Sequence, residues 1–159
     1  KRQIDISHVS DAAFMKVLEL SKAPVVATHS SLRHFTPGWE RNVSDEMLIA
    51  LAENGGVIQL CFGSDFVANR KDNPDIEVSV KNVVDHIDRV RDLVGIDHVG
   101  FGSDFDGEVP LPEDINDVSK FPNLIEELLI RGYTESEIDK ILNENILRVW
   151  KEVRALADV

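Results

Sequence analysis

Short apolar runs alternate with longer amphipathic stretches along most of this chain, and that alternation limits its fold more than any other feature. The runs are residues 4–7, 24–28, 56–62 and 98–102. Each is short, rich in β-branched or aromatic residues, and bounded by Gly, Pro, Ser or Asp, the pattern of a buried strand. Helical patterns fill the intervals. Ser10 predicts the cap of a helix running to about Lys22, with Phe14, Val17 and Leu18 on one face. Ser44 predicts the cap of another, with Asp45 and Glu46 in its first turn, Met47, Leu48, Leu51 and Ala52 facing inward, and Gly55 as its terminator. The clearest stripe is Val80, Val83, Val84, Ile87, Val90, Leu93 and Val94, at 3, 4, 7 spacing. After the fourth run the chain reads as all helical. One segment begins at Pro122, a second opens on the capping box Thr134–Glu137, and the last carries Ile146, Leu147, Trp150 and Val153.

Strand–helix alternation predicts a parallel sheet, because parallel strands need a crossover between them. Nearly continuous apolar strands predict a sheet covered on both faces. Two architectures fit, an open doubly wound sheet and part of a (β/α)₈ barrel. In both, function sits at the C-terminal ends of the strands. The first run ends in Ser7-His8, the second in Thr28-His29-Ser30-Ser31, and the fourth in Gly102-Ser103-Asp104-Phe105-Asp106-Gly107. Two histidines and an aspartate thus fall at equivalent positions of different strands. Neutral imidazole and carboxylate are the ligand set of zinc and similar divalent ions. A metal so placed lowers the pKa of water to about 7 and polarises a carbonyl. The same residues also suit ordinary turns: His8 sits beside the Ser10 cap, and Asp104, Asp106 and Gly107 are turn formers. An EF-hand reading of that turn fails, because its twelfth position is Ile115 rather than glutamate. Arg41 ends the polar loop 33–41. It is either a solvated surface charge or a bidentate clamp for a carboxylate. His34 lies in the same loop, a candidate active-site flap. His86, in mid-helix, and His98, at the start of a strand, read as structural. Cys61 reads as a buried, inert thiol.

The 159 residues include 29 acidic and 17 basic side chains, a formal charge of −12, which leaves nothing to neutralise nucleic-acid phosphates. No apolar run approaches the ~18–20 residues that span a bilayer. The single cysteine rules out an intrachain disulfide and a cysteine-rich zinc ribbon. Walker A, G-x-S-x-G and H-E-x-x-H motifs are absent. The N-terminus has neither an apolar signal region nor a methionine. The natural beginning is therefore expected upstream, and location, cytoplasmic or exported, stays open.

Several blocks carry a family likeness. They are Ile4-Asp5-Ile6-Ser7-His8-Val9-Ser10, Ala23-Pro24-Val25-Val26-Ala27-Thr28-His29-Ser30-Ser31, Arg41-Asn42-Val43-Ser44-Asp45-Glu46, and Gly100-Phe101-Gly102-Ser103-Asp104-Phe105-Asp106-Gly107. Asp117-Val118-Ser119-Lys120-Phe121-Pro122 and Leu128-Leu129-Ile130-Arg131-Gly132-Tyr133 follow. Together they resemble the membrane (renal) dipeptidase family over nearly the whole chain. The loop Arg33-His34-Phe35-Thr36-Pro37-Gly38-Trp39-Glu40 looks like the form found in bacterial members. The resemblance implies a metal-dependent hydrolase on a (β/α)₈ barrel with two zinc ions, cleaving dipeptides through a metal-bound hydroxide. His8 and His29 match the two histidines that bind one zinc. Arg41 matches the arginine that binds the substrate carboxylate, and Asp104 the aspartate that relays a proton to the leaving amine.

The family's His-x-Asp pair, bridging glutamate and further substrate-binding histidine would all precede residue 1. Cys61 stands where asparagine is expected in bacterial relatives. A complete barrel needs about 250 residues and rarely fewer than about 200. Residues 1–159 are therefore expected to be the C-terminal half of one dipeptidase barrel, the four runs being its last four strands and the final helices closing its end. Such a piece holds at most a partial zinc site and is expected to be inactive alone. Its open sheet edges favour the missing N-terminal half or a second copy as partner. Two alternatives stand beside this reading: a stand-alone α/β binding or structural module, and a related metal-dependent amidohydrolase acting on another amide or a lactam.

Overall fold

The computed structural model describes residues 2–156. Its main elements, in chain order, are α1 (Asp11–Leu20), β1 (Val26–Ser30), α2 (Asp45–Glu53), β2 (Val57–Leu60), α3 (Ser64–Val67), α4 (Val80–Val94), β3 (Val99–Phe101), α5 (Phe121–Ile130), α6 (Glu135–Asp139) and α7 (Asn145–Ala155). The strands form one parallel sheet in the order β1-β2-β3. The predicted first strand does not become a regular one. It is a single parallel bridge, Asp5 to Val26, held by Ile6 N–H to the Val26 carbonyl (2.9 Å) and Val26 N–H to the Ile4 carbonyl (3.0 Å).

Four parallel segments therefore lie side by side in chain order. The helices that connect them also touch in order, α1 on α2, α2 on α4, and α4 on α5. A doubly wound sheet reverses its strand order at a switch point and sends helices to both faces. Sequential strands with neighbouring helices in one row are instead the repeat of a (β/α) barrel.

The caps read from sequence are present. Ser10 accepts from Ala13 N–H and Ser44 from Met47 N–H, and Thr134 and Glu137 make the reciprocal capping box. Gly55 takes φ +80° just past α2, the left-handed step that ends a helix. In α4, Val83, Val84, Ile87 and Val90 are fully buried among Ile58, Leu60, Leu124 and Leu128. Each such burial contributes about 1.5–3 kcal/mol. Arg131, just past α5, ties that helix to α4 through Asp85 (2.7 Å), Asp88 (2.6 Å) and its own Glu127 (2.8 Å).

The last helix closes the N-terminal end of the sheet, where Val149 and Val153 pack on Val26 and Val57. Arg148 donates to the carbonyls of Gly55 (2.9 Å) and Asp97 (3.0 Å), and Asn145 to those of Ile96 (2.7 Å) and Val99 (2.8 Å). Of the apolar residues read on this helix, Ile146 and Val153 pack toward the sheet. Leu147 and Trp150 are exposed, while Asn145, Val149 and Val153 face in. Residues Lys140–Glu144 wind as a π-helix just before it. The Asn145 amide then finds its acceptors only on the sheet side.

His86 is fully buried in α4, and its role is structural, as expected. Its Nδ1 accepts the Leu32 N–H (3.0 Å), so the neutral ring carries its proton on Nε2 and donates it to the Val67 carbonyl (3.2 Å). A second proton would meet the Leu32 N–H head-on. Burial pushes the pKa from the usual 6.5 down to about 4, against the opposing effect of the Val67 hydrogen bond. Between those values the unfolded chain binds more protons than the folded one. The contribution is therefore complete above pH 6.5 and is lost as pH falls toward 4, a change of about 3 kcal/mol at about 1.4 kcal/mol per pH unit. Denaturant unfolding between pH 7 and 4.5 should show this slope, and His86→Gln should flatten it. Identical slopes in the two proteins would remove His86 from the explanation.

Candidate metal and substrate site

A bulge in β1 builds the site. Register passes from Ala27 opposite Ile58 to Ser30 opposite Leu60, so Thr28 and His29 together face the single residue Gln59. The bulge turns the His29 ring toward the turn that follows the first parallel segment, where His8 sits. The two Nε2 atoms stand 2.8 Å apart, with the ring planes tilted by 52°. Sequence placed both residues at strand ends, and the fold brings them together.

Arg41 reaches the same point from the loop after β1. Its guanidinium donates to Ser30 Oγ (2.8 Å), the His29 carbonyl (2.5 Å) and His8 Nε2 (3.1 Å), with the Phe66 ring 5.7 Å away. Its buried Nε–H has no partner among the described residues, a donor of the kind that ligands satisfy. The loop carrying it is pinned rather than flap-like. Leu32 bridges Val43, and Arg33 grips Asp11 through two 2.8 Å bonds. Asn42 donates to Thr36 Oγ1 (2.7 Å) and the Phe66 carbonyl (2.8 Å). His34 is exposed, its ring edge-on to Phe35 and apart from the histidine pair.

Asp104 lies in the turn after β3. His8 and Asp104 both adopt left-handed backbone, φ +64° and +63°, and only Glu108 shares this among the described non-glycine residues. Such strain collects where function holds a side chain in place. Cys61 is buried, as expected, and burial pushes its thiol up to about 11. It nevertheless lines the site, with Sγ 3.8 Å from Asp104 Oδ2. Asp106 is exposed in the turn.

Counting protons shows what the histidine pair can hold. Arginine only donates, so His8 Nε2 presents a lone pair. On the other ring, Nδ1 of His29 meets Thr28 Oγ1 at 2.8 Å, and that hydroxyl spends its one proton on Asp5 Oδ2 at 2.7 Å. The His29 proton is therefore on Nδ1, and its Nε2 is also a lone pair. Two lone pairs converging at 2.8 Å are an arrangement that can hold a cation. Two nitrogens on one tetrahedral zinc, each bond about 2.0–2.1 Å, stand about 3.3 Å apart, so a small tilt of either ring admits the ion. Burial, Arg41 and His29 hold the His8 pKa below its usual value, against smaller opposing effects of Asp104 and Asp5, which favours the neutral ring that metals bind. Among the described residues no group of three or more His, Cys, Asp or Glu side chains is gathered around one point for a metal. His8 and His29 are the two side chains here that could serve as ligands.

Sequence reasoning passed over three contributors. Asp5, Thr28 and Gly102 carry no metal-ligand signature. An aspartate between Ile4 and Ile6 in an apolar run was the one available signal. Burial tends to raise the Asp5 pKa, but hydrogen bonds from Ser7 and Thr28 outweigh it and hold the carboxyl below its usual range.

Comparison with known proteins gives a consistent result. Residues 3–159 match the family described as Membrane dipeptidase (Peptidase family M19). The chain is 45% identical over 156 residues to "Dipeptidase ataJ" of Aspergillus terreus (strain NIH 2624 / FGSC A1156), covering 98% of this chain and 37% of that protein. A metallo peptidase from Rhodobacter sphaeroides, solved with a phosphinate mimic of the dipeptide L-Ala-D-Ala, superposes with a TM-score of 0.84 at 36% identity. The match covers 93% of this chain and 41% of the other. The probable dipeptidase PvdM from Pseudomonas aeruginosa gives a TM-score of 0.88 at 28% identity, over 96% and 50%. The chain thus spans between about a third and a half of the length of these relatives.

Proposed function

The chain belongs to the membrane dipeptidase family, peptidase family M19, and on that premise we propose that it forms the C-terminal part of a zinc-dependent dipeptidase barrel. The observation that carries this reading is the pair of imidazole lone pairs meeting at 2.8 Å beside a guanidinium. His8 and His29 would hold one zinc through Nε2. When bound, the metal supplies an acidic water and polarises the scissile carbonyl. Arg41 is the anchor for the substrate's terminal carboxylate. Its Nη2–H and a metal compete for the same His8 lone pair, so in the loaded site that donor turns to the substrate. Asp104 takes a proton at its carboxylate and returns it to the departing amine. The neutral Cys61 thiol beside it adds no competing charge.

Catalytic zinc ordinarily has three protein ligands plus water. Two histidines fall short, so we assign the remaining ligands, and a second zinc, to parts of the barrel beyond these residues. The same parts would cover the open edges beside residues 4–6 and β3. The expected result is that the intact gene product hydrolyses L-alanyl-D-alanine, loses activity to a chelator and regains it with zinc. Residues 1–159 alone should show no turnover. Chelator-resistant hydrolysis by the intact protein would overturn the proposal.

A further inference from the structure

We propose that Asp5 and Thr28 act as a positioning pair that sets the tautomer of His29, so that its Nε2 lone pair faces His8. The inference rests on the metal reading of the two histidines but concerns residues outside that ligand set.

The argument is geometric. Asp5 Oδ1 accepts the N–H of Ser7 (2.9 Å) and of Thr28 (3.1 Å), and Oδ2 accepts the Thr28 hydroxyl (2.7 Å). One carboxylate therefore holds the backbone just before His8 and just before His29. The Thr28 hydroxyl has one proton and gives it to the carboxylate, so toward His29 Nδ1, 2.8 Å away, only its lone pairs remain. The ring must donate there, which leaves Nε2 unprotonated. Ser7 Oγ adds a second brace, accepting the His29 N–H at 3.1 Å and meeting Ser30 Oγ at 3.1 Å. Metal-binding histidines are commonly oriented by a carboxylate or carbonyl on the far nitrogen. Here the carboxylate acts through a hydroxyl relay, because Asp5 lies on the neighbouring parallel segment and Thr28 spans the gap.

The relay predicts different behaviour for substitutions of similar shape. Thr28→Val keeps the volume but has no hydroxyl. Thr28→Ser keeps the hydroxyl. Asp5→Asn presents an amide where three donors already converge. Nitrogen-15 NMR of the histidine rings in the metal-free protein reads the tautomer directly, and zinc titration reads its consequence. Wild type and Thr28→Ser should hold His29 as the Nδ1–H form. Thr28→Val and Asp5→Asn should populate the Nε2–H form and bind zinc about 10–100-fold more weakly. Circular dichroism is expected to show all four folded. If Thr28→Val keeps the Nδ1–H form, or Thr28→Ser loses it, the relay is overturned. Should Thr28→Val fail to fold, Asp5→Asn against Thr28→Ser decides the same point. Because the tautomer is read without metal, wild-type protein that takes up no zinc overturns the metal reading separately.

Discussion

Gly102→Ala is expected to destabilise the protein by about 3 kcal/mol or more, at the upper end of what overpacking costs. Conformational freedom is not the reason, because Gly102 is not among the residues with positive φ. Space is. A Cβ on residue 102 would lie 2.1 Å from the Thr28 carbonyl oxygen and 2.9 Å from both the carbonyl oxygen and Cβ of Gln59. Main-chain atoms on two neighbouring strands cannot swing aside as a side-chain tip does. The obstructing carbonyl belongs to the bulge that aims His29, so relief of the clash must move the ring. Chemical denaturation measures the stability loss. Zinc titration of whatever folds should show weakened binding. Wild-type stability in this variant would mean that β1 and β3 do not approach across β2 as closely as described.

His29→Ala is expected to abolish hydrolysis by the intact protein and to remove one equivalent of bound zinc. Loss of a partner behind a ligand costs about 10–100-fold, and loss of the ligand itself should exceed that. The fold should survive, because the His29 ring is only partly buried and its Nδ1 partner, the Thr28 hydroxyl, keeps its bond to Asp5. Zinc content, kcat/KM on L-alanyl-D-alanine and thermal unfolding, measured together, separate ligand loss from misfolding. Full zinc content with activity near wild type would place the ligand elsewhere.

Much of the molecule was legible before any coordinates. The Ser10, Ser44 and Thr134 caps, the α4 stripe and the strand runs of β1 to β3 depend on neighbours within one or two turns, and local periodicity records such neighbours. His8, His29 and Asp104 were legible for a related reason. Parallel strands share a direction, so the residue that ends each run lands at the same end of the sheet. The exposure of Leu147 and Trp150 was not legible, because the side of α7 that meets the sheet is fixed by the Asn145 bonds to Ile96 and Val99. Cys61 was read correctly as buried, but burial alone did not reveal that it touches Asp104.

The sequence by itself determined the alternation, the parallel sheet and the residue types at the C-terminal ends of its strands, because each is a statement about spacing along the chain. Tertiary structure alone decided between an open sheet and a barrel segment, since that choice is the order of strands in space. It also decided that the bulge at Thr28 turns His29 onto His8, that Arg41 folds back to the same point, and that Gly102 leaves room for a carbonyl from a strand two places away. A lone pair acquires its direction from the bonds made by the opposite side of the ring. Those bonds join Asp5, Thr28 and His29, which lie far apart in the chain and meet only across the sheet.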